Sequence, residues 1–164
     1  MRLFDHDHLE CWLDTIAHRV DKDDVKVLDL TLRVEPFTAE LATGIDEDFR
    51  TLLFSAKKPV PKPNIKSMEF IMPIAPQRLL VRVARDVAAG ELALNDCAID
   101  KIRAKRPKDK SEYLFTCRAS LLRPSARELE FVIKWHTESR FVTFVELQAD
   151  LAFDRSSAPH HAAH

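Results

Sequence analysis

Alternation of apolar residues at every second position limits this chain more than any other feature. Leu28, Leu30, Leu32 and Val34 alternate with Asp29, Thr31, Arg33 and Glu35, and Tyr113, Phe115, Cys117, Ala119 and Leu121 repeat the spacing later. A period of two suits only an extended strand with one face buried, and such a strand needs neighbours to satisfy its backbone. The chain is therefore read as a sheet protein, with its first strand over residues 27–35, ending at Pro36.

Other runs extend the pattern. Met68, Phe70, Met72 and Ile74, then Leu79, Val81 and Val83, flank the stretch Pro73 to Arg78 and predict a hairpin at a sheet edge or corner. Runs at 97–106, 112–122, 128–136 and 140–149 are separated by segments of hairpin-loop length, which predicts a four-stranded meander. Its inward residues are expected to include Phe115, then Leu129, Phe131, Ile133 and Trp135, then Phe141, Val145 and Leu147 with Thr143 among them.

Two stretches depart from this period. Leu9, Trp12, Leu13, Ile16 and Val20 follow helical spacing behind the pair Asp7 and Glu10, predicting an amphipathic helix over about 7–20. Thr38 reads as the N-cap of a short helix closed by Gly44, and Asp46 to Phe54 as a further short helix. Proline at 59, 61 and 63 makes residues 57–63 an expected extended, solvated connector rather than a ligand for a proline-reading domain. Residues 86–96 show no period.

The expected fold is mainly β (α+β): an antiparallel β-sandwich or strongly curled sheet of about seven strands, with an N-terminal helix and a short helical excursion after the first strand. Residues 1–155 form one domain in this reading, with the β body at about 27–153, and 156–164 form a disordered tail.

Composition supports a folded chain. Hydrophobic residues make up 46% and charged residues 31%, far from the balance of a disordered protein. No apolar run approaches the roughly 20 residues needed to cross a bilayer, and no signal-peptide core is seen, so no membrane association is expected. Cys11, Cys97 and Cys117 are odd in number and lack paired spacing, which argues against a disulfide framework or zinc knuckle and for a cytoplasmic location.

The net charge of −1 conceals a strong sorting. Residues 1–50 hold thirteen acids against six bases, while 101–127 hold nine bases against two acids. Lys101, Arg103, Lys105, Arg106, Lys108 and Lys110 fall within ten residues, and alternation sets Lys101, Arg103 and Lys105 on one strand face with Ile102 and Ala104 behind. Cations about 6 to 7 Å apart along a strand approximate the phosphate spacing of nucleic acid. Arg118, Arg123 and Arg127 are candidates to extend the patch. The plain alternative is a charged edge that keeps a sheet soluble. Aromatic residues sit mostly at apolar positions, which argues against a dedicated single-strand binder.

Catalytic sets are not found. Asp7, Cys11, Asp14 and His18, with His8 nearby, would share one face of the expected helix, but one exposed face neither encloses a metal nor shelters a nucleophile. With glycine only at 44 and 90, no phosphate-binding glycine loop exists, and no cofactor is expected. His136 reads as a surface histidine, and His160, His161 and His164 as incidental metal ligands at most. The expected function is a non-enzymatic module whose cationic β-hairpin holds a nucleic-acid backbone. The alternative is a protein-interaction or assembly subunit, an inhibitor or accessory factor. In that case Asp21, Asp23 and Asp24, with Asp46, Glu47 and Asp48, meet a basic partner surface or a neighbouring copy's hairpin in a homo-oligomer.

Overall fold

The computed structural model describes residues 2–147 of the 164. In chain order the elements are β1 (Leu9–Val20), β2 (Lys26–Phe37), α1 (Ala39–Ile45), α2 (Glu47–Leu53), β3 (Ser67–Phe70), β4 (Gln77–Arg82), β5 (Leu92–Lys105), β6 (Tyr113–Leu122), α3 (Ala126–Trp135) and β7 (Arg140–Glu146). All strand pairings are antiparallel, and they close a ring: β1–β2–β6–β5–β4–β7 and back to β1, with β3 added beside β5. The curled antiparallel sheet expected from alternation is thus a six-stranded barrel with one extra strand, and closure removes most of its open edges.

Two long strands make the corners. β1 pairs with β7 through Leu9–Cys11 and then with β2 from Trp12 onward. β5 pairs with β4 up to Cys97 and with β6 from Ala98. Each corner carries an irregularity, a register shift between Leu13 and Thr15 in β1 and a left-handed Asp96 (φ 56°) in β5. Bulges and bends of this kind are how a strand passes from one sheet to the next.

The β1 bulge also explains why the expected helix over 7–20 is a strand. Before it, Leu9, Cys11 and Leu13 share a face; after it, the extra residue moves the partners of Leu30 and Leu28 to Ile16 and His18. A two-residue period with one inserted residue mimics the three-and-four spacing of a helix. Cys11, expected to be exposed, is fully buried, whereas Asp14 and His18 are exposed, so no helix face unites these three. Leu13 is buried, while Leu9, Trp12 and Ile16 are only partly so.

The expected strand at 128–136 is helix α3. Ser125 and Glu128 form a reciprocal capping box, with the Ser125 N–H donating to Glu128 Oε1 at 2.8 Å and the Glu128 N–H to Ser125 Oγ at 3.1 Å. Burial follows the helical period, with Val132 and Trp135 buried and Ile133 63% exposed. Phe131 and Leu129 are half-buried against the core. Because α3 intervenes, β7 lies between β4 and β1 instead of beside β6, and the expected meander ends after β6. In β7 the buried pair is Val142 and Phe144; Phe141, Val145 and Leu147 are half-buried, and Thr143 is buried as expected.

Of the other expectations some hold and one, the hairpin at 68–83, does not. The alternation of β2 and β6 is borne out, with Leu28, Leu30, Leu32, Val34, Phe115 and Cys117 all buried. Thr38 caps α1 and Asp46 caps α2, their side chains accepting from Leu41 and Asp48 N–H groups. β3 and β4 do not pair with each other as a hairpin; both lie against β5, at different stretches of its length. The core is aromatic: Phe4 packs on Phe115 and Phe144 with centroids 4.9 and 5.4 Å apart, and Phe37 lies 5.1 Å from Phe115. No helix among the described residues is long and apolar enough to cross a membrane. The expected tail at 156–164 lies outside the described residues.

Candidate functional site

The β5–β6 hairpin forms, and its faces are as expected: Ile102 and Ala104 are buried, Lys101, Arg103 and Lys105 exposed. The row is not regular, however. The register shifts between Asp100 and Arg103, and Lys101 takes a left-handed conformation (φ 49°), so Asp100 and Lys101 are both exposed.

Acidic neighbours occupy part of the patch. Arg103 donates to Glu69 at 2.9 Å across the β3–β5 pair, and Arg118 Nε donates to Asp100 at 2.7 Å across β5–β6. Lys110 and Arg33 both donate to Glu35, and the Lys110 hydrogen bond above all holds the Glu35 carboxyl below the usual carboxylate range. Lys101, Lys105 and Lys108 are exposed and make no ion pair among the described residues. Arg123 and Arg127 follow the far end of β6, a ten-residue strand that spans about 30 Å, so they stand apart from the turn. Arg123 instead shares a cleft with Asp23 and Asp24 at the β1–β2 tip.

The structure brings a second cationic segment to the turn. Residues 57–63, expected as an extended connector, belong instead to a closed loop: Ser55 N–H donates to Val60 C=O at 2.9 Å and Lys62 N–H to Leu53 C=O at 2.8 Å. Proline at alternate positions removes donors only at those positions, and Val60 and Lys62 keep theirs. The Tyr113 hydroxyl, at the start of β6, shares its proton between the carbonyls of Ile65 (2.8 Å) and Leu53 (3.2 Å), pinning both ends of the loop. Arg106 completes the attachment, donating from Nη2 to Pro63 C=O at 2.7 Å and from its backbone N–H to Lys66 C=O at 2.8 Å.

Between these segments lies a cleft of about 400 Å³. It is lined by the buried Phe37 and Phe54, by Pro59, Val60 and Pro61 of the loop, and by Arg106, Ser111 and Glu112 of the turn. Lys57, Lys58 and Lys62 flank the prolines in sequence, and Lys105, Lys108 and Lys110 lie among the turn residues. The connector lysines are not predictable as part of the site, because the pairing that folds the loop onto the turn has no local signature.

Among the described residues nothing resembles a nucleophilic centre. Cys11, Cys97 and Cys117 are free and buried, and burial pushes the thiols of Cys97 and Cys117 up to about 12 and that of Cys11 well above its ordinary value. Among the described residues no cluster of three or more His, Cys, Asp or Glu is placed to hold a metal ion. Against known proteins, no family model, curated protein or solved structure matches this chain, so the functional reading rests on its own geometry.

Proposed function

We propose that the chain is a non-enzymatic module that holds a nucleic-acid backbone at the end of the barrel bearing the β5–β6 turn. The observation that supports this reading is the attachment of the lysine-rich loop at 57–62 to the cationic turn at 105–110, through Arg106 and Pro63. Two segments of the same sign, more than forty residues apart, are held together at a cost in mutual repulsion. Such a cost is offset when a polyanion lies between them. Arg103, Arg118 and Lys110, already paired with carboxylates, contribute less than Lys57, Lys58, Lys105 and Lys108 in this reading.

Fluorescence anisotropy with a twelve-nucleotide single strand and a twelve-base-pair duplex tests it. Affinity should fall with salt along a log-log slope of roughly −0.7 to −0.9 per phosphate neutralised. Replacing Lys57 and Lys58 with glutamine should make that slope shallower by about one unit for each phosphate no longer neutralised, and so should replacing Lys105 and Lys108. Absence of binding to both probes at low salt sinks the reading.

The second reading is a protein partner, including another copy of this chain. It draws on the separation of the acidic tip at Asp21, Asp23 and Asp24 from the cationic turn, at opposite ends of the β2–β6 pair. Head-to-tail association would then appear as concentration-dependent, salt-sensitive sedimentation.

A further inference from the structure

We propose that the cleft between the proline loop and the β5–β6 turn receives one unstacked nucleobase, which makes the module a reader of single strands, contrary to the expectation drawn from its inward-facing aromatic residues. This rests on the backbone-binding reading above and goes beyond it in naming a ligand group, a place and a strand preference.

The cleft differs from the surrounding cationic surface in having apolar rings in its lining beside the polar Thr38, Ser111 and Glu112. Those rings include Pro59 and Pro61. Phosphate gains nothing from such rings, whereas the flat face of a base does. Arg106 lines the cleft too, its guanidinium fixed by its bond to Pro63 C=O rather than by a carboxylate. A guanidinium held this way keeps its charge and offers a planar face for stacking. A volume of about 400 Å³ admits a base with its sugar, but a base inside a duplex cannot leave its stack to enter without breaking its pair.

Glu112 sharpens the assignment. It lines the cleft together with Arg106, is exposed, and makes no ion pair among the described residues. A free carboxylate in the lining of a phosphate site opposes binding, so its presence there points to a donor on the ligand. Carboxylates accept from exocyclic amines of bases, and Ser111 beside it both donates and accepts. The occupant is therefore a base carrying an exocyclic amine, and thymine is disfavoured.

Anisotropy titrations of the full chain against four probes test this: an eight-nucleotide cytosine strand, a thymine strand and a strand of eight abasic sites, matched in charge, and a duplex of eight base pairs, which carries the denser phosphate charge. The cytosine strand should bind roughly five-fold to a hundred-fold more tightly than the abasic strand, the range expected for stacking a single base. It should also exceed the thymine strand and the duplex. Ser111→Leu, which narrows the mouth at an exposed position, should bring the cytosine strand down to the abasic strand's affinity while leaving the salt slope unchanged. Glu112→Gln should erase the preference for cytosine over thymine. Equal binding of intact and abasic strands, or a duplex bound as tightly as the single strand, overturns the base pocket but leaves the backbone reading standing. No binding to any of the four probes overturns both.

Discussion

Arg106 and Pro63 are joined by a 2.7 Å hydrogen bond from a guanidinium to a backbone carbonyl, which ties the proline loop to the β5–β6 turn alongside the bonds of the Tyr113 hydroxyl. Arg106→Ala removes it but leaves the backbone bond from residue 106 to Lys66. A partly exposed bond of this kind contributes about 1 kcal/mol, so global stability should fall only slightly. Local stability should fall more. Hydrogen exchange at the amides of Ser55 and Lys62, which close the loop, should accelerate while β6 stays protected. Unchanged exchange at both amides would show that Tyr113 alone holds the loop.

Acid should loosen the same end of the molecule through Glu35. Its folded-state pKa is depressed, chiefly by the hydrogen bond from Lys110, with Arg33 adding to it. A depressed carboxyl contributes stability that is present above the unfolded pKa and lost as pH falls through the folded one. Lys110 is half exposed, so solvent screening keeps the contribution under about 1 kcal/mol. Urea unfolding of the wild type and Glu35→Gln should therefore differ at pH 7 and converge as the pH drops through the carboxylate range. Asp29 acts in the same window: burial pushes it up, but hydrogen bonds from Ser120 and Arg19 outweigh that and hold it low. A gap between wild type and Glu35→Gln that widens on acidification would contradict the assignment.

How far the fold can be read from sequence depends on whether an element's burial follows one period throughout. β2 and β6 keep theirs from Leu28 to Val34 and from Tyr113 to Leu121 except at the buried, mutually bonded Asp29 and Ser120, and both are legible. In β1 the extra residue at the Leu13/Thr15 shift changes the buried parity midway, and counting Cys11 as polar hides the first half of the strand. In α3 the apolar residues Leu129, Phe131, Ile133 and Trp135 alternate by coincidence; the stronger signal is the pair Ser125 and Glu128, three residues apart and just before that run. The candidate site divides the same way. Lys105 to Lys110 are neighbours in sequence and stand out at once, whereas the attachment of the loop that carries Lys57 and Lys58 depends on Tyr113 and Arg106 reaching across 43 residues or more. Arg123 and Arg127 look like part of the turn because they are near it in sequence, but a full strand separates them from it.

The three thiols should be silent in the native protein. Cys11 and Cys97 are fully buried and Cys117 is 2% exposed, and burial raises all three above their ordinary range. At pH 8 a disulfide reagent such as dithionitrobenzoate should modify none of them until denaturant is added, then three per chain. One thiol reacting at the native rate of an exposed cysteine would show that a barrel strand opens. β1, whose Cys11 sits at the corner, is the first place to look.

Helix α3 should be held to the barrel mainly by its last turn. Trp135 is fully buried, and its Nε1–H donates to Cys11 C=O at 3.1 Å; His136 Nδ1 lies 2.9 Å from Leu13 C=O. Both acceptors belong to the stretch of β1 that is leaving β7 at the corner, where strand partners run out on one side. Trp135→Ala removes both the ring and the donor and should cost about 3–5 kcal/mol. Trp135→Phe keeps most of the apolar volume but strands the Cys11 carbonyl, for about 1–3 kcal/mol. At the other end of the helix, Ser125→Ala removes half of the capping box and should cost about 1 kcal/mol. The two ends are about 15 Å apart along a ten-residue helix, far enough for the Ser125 and Trp135 effects to add. Urea unfolding of Ser125→Ala, Trp135→Phe and the double variant checks this. A double variant much less destabilised than the sum would mean that the helix undocks as a unit once Trp135 is weakened, so that its cap no longer matters. Under the proposed function, nucleic-acid affinity should be unaffected by either change, because α3 starts at the end of β6 remote from the cationic turn.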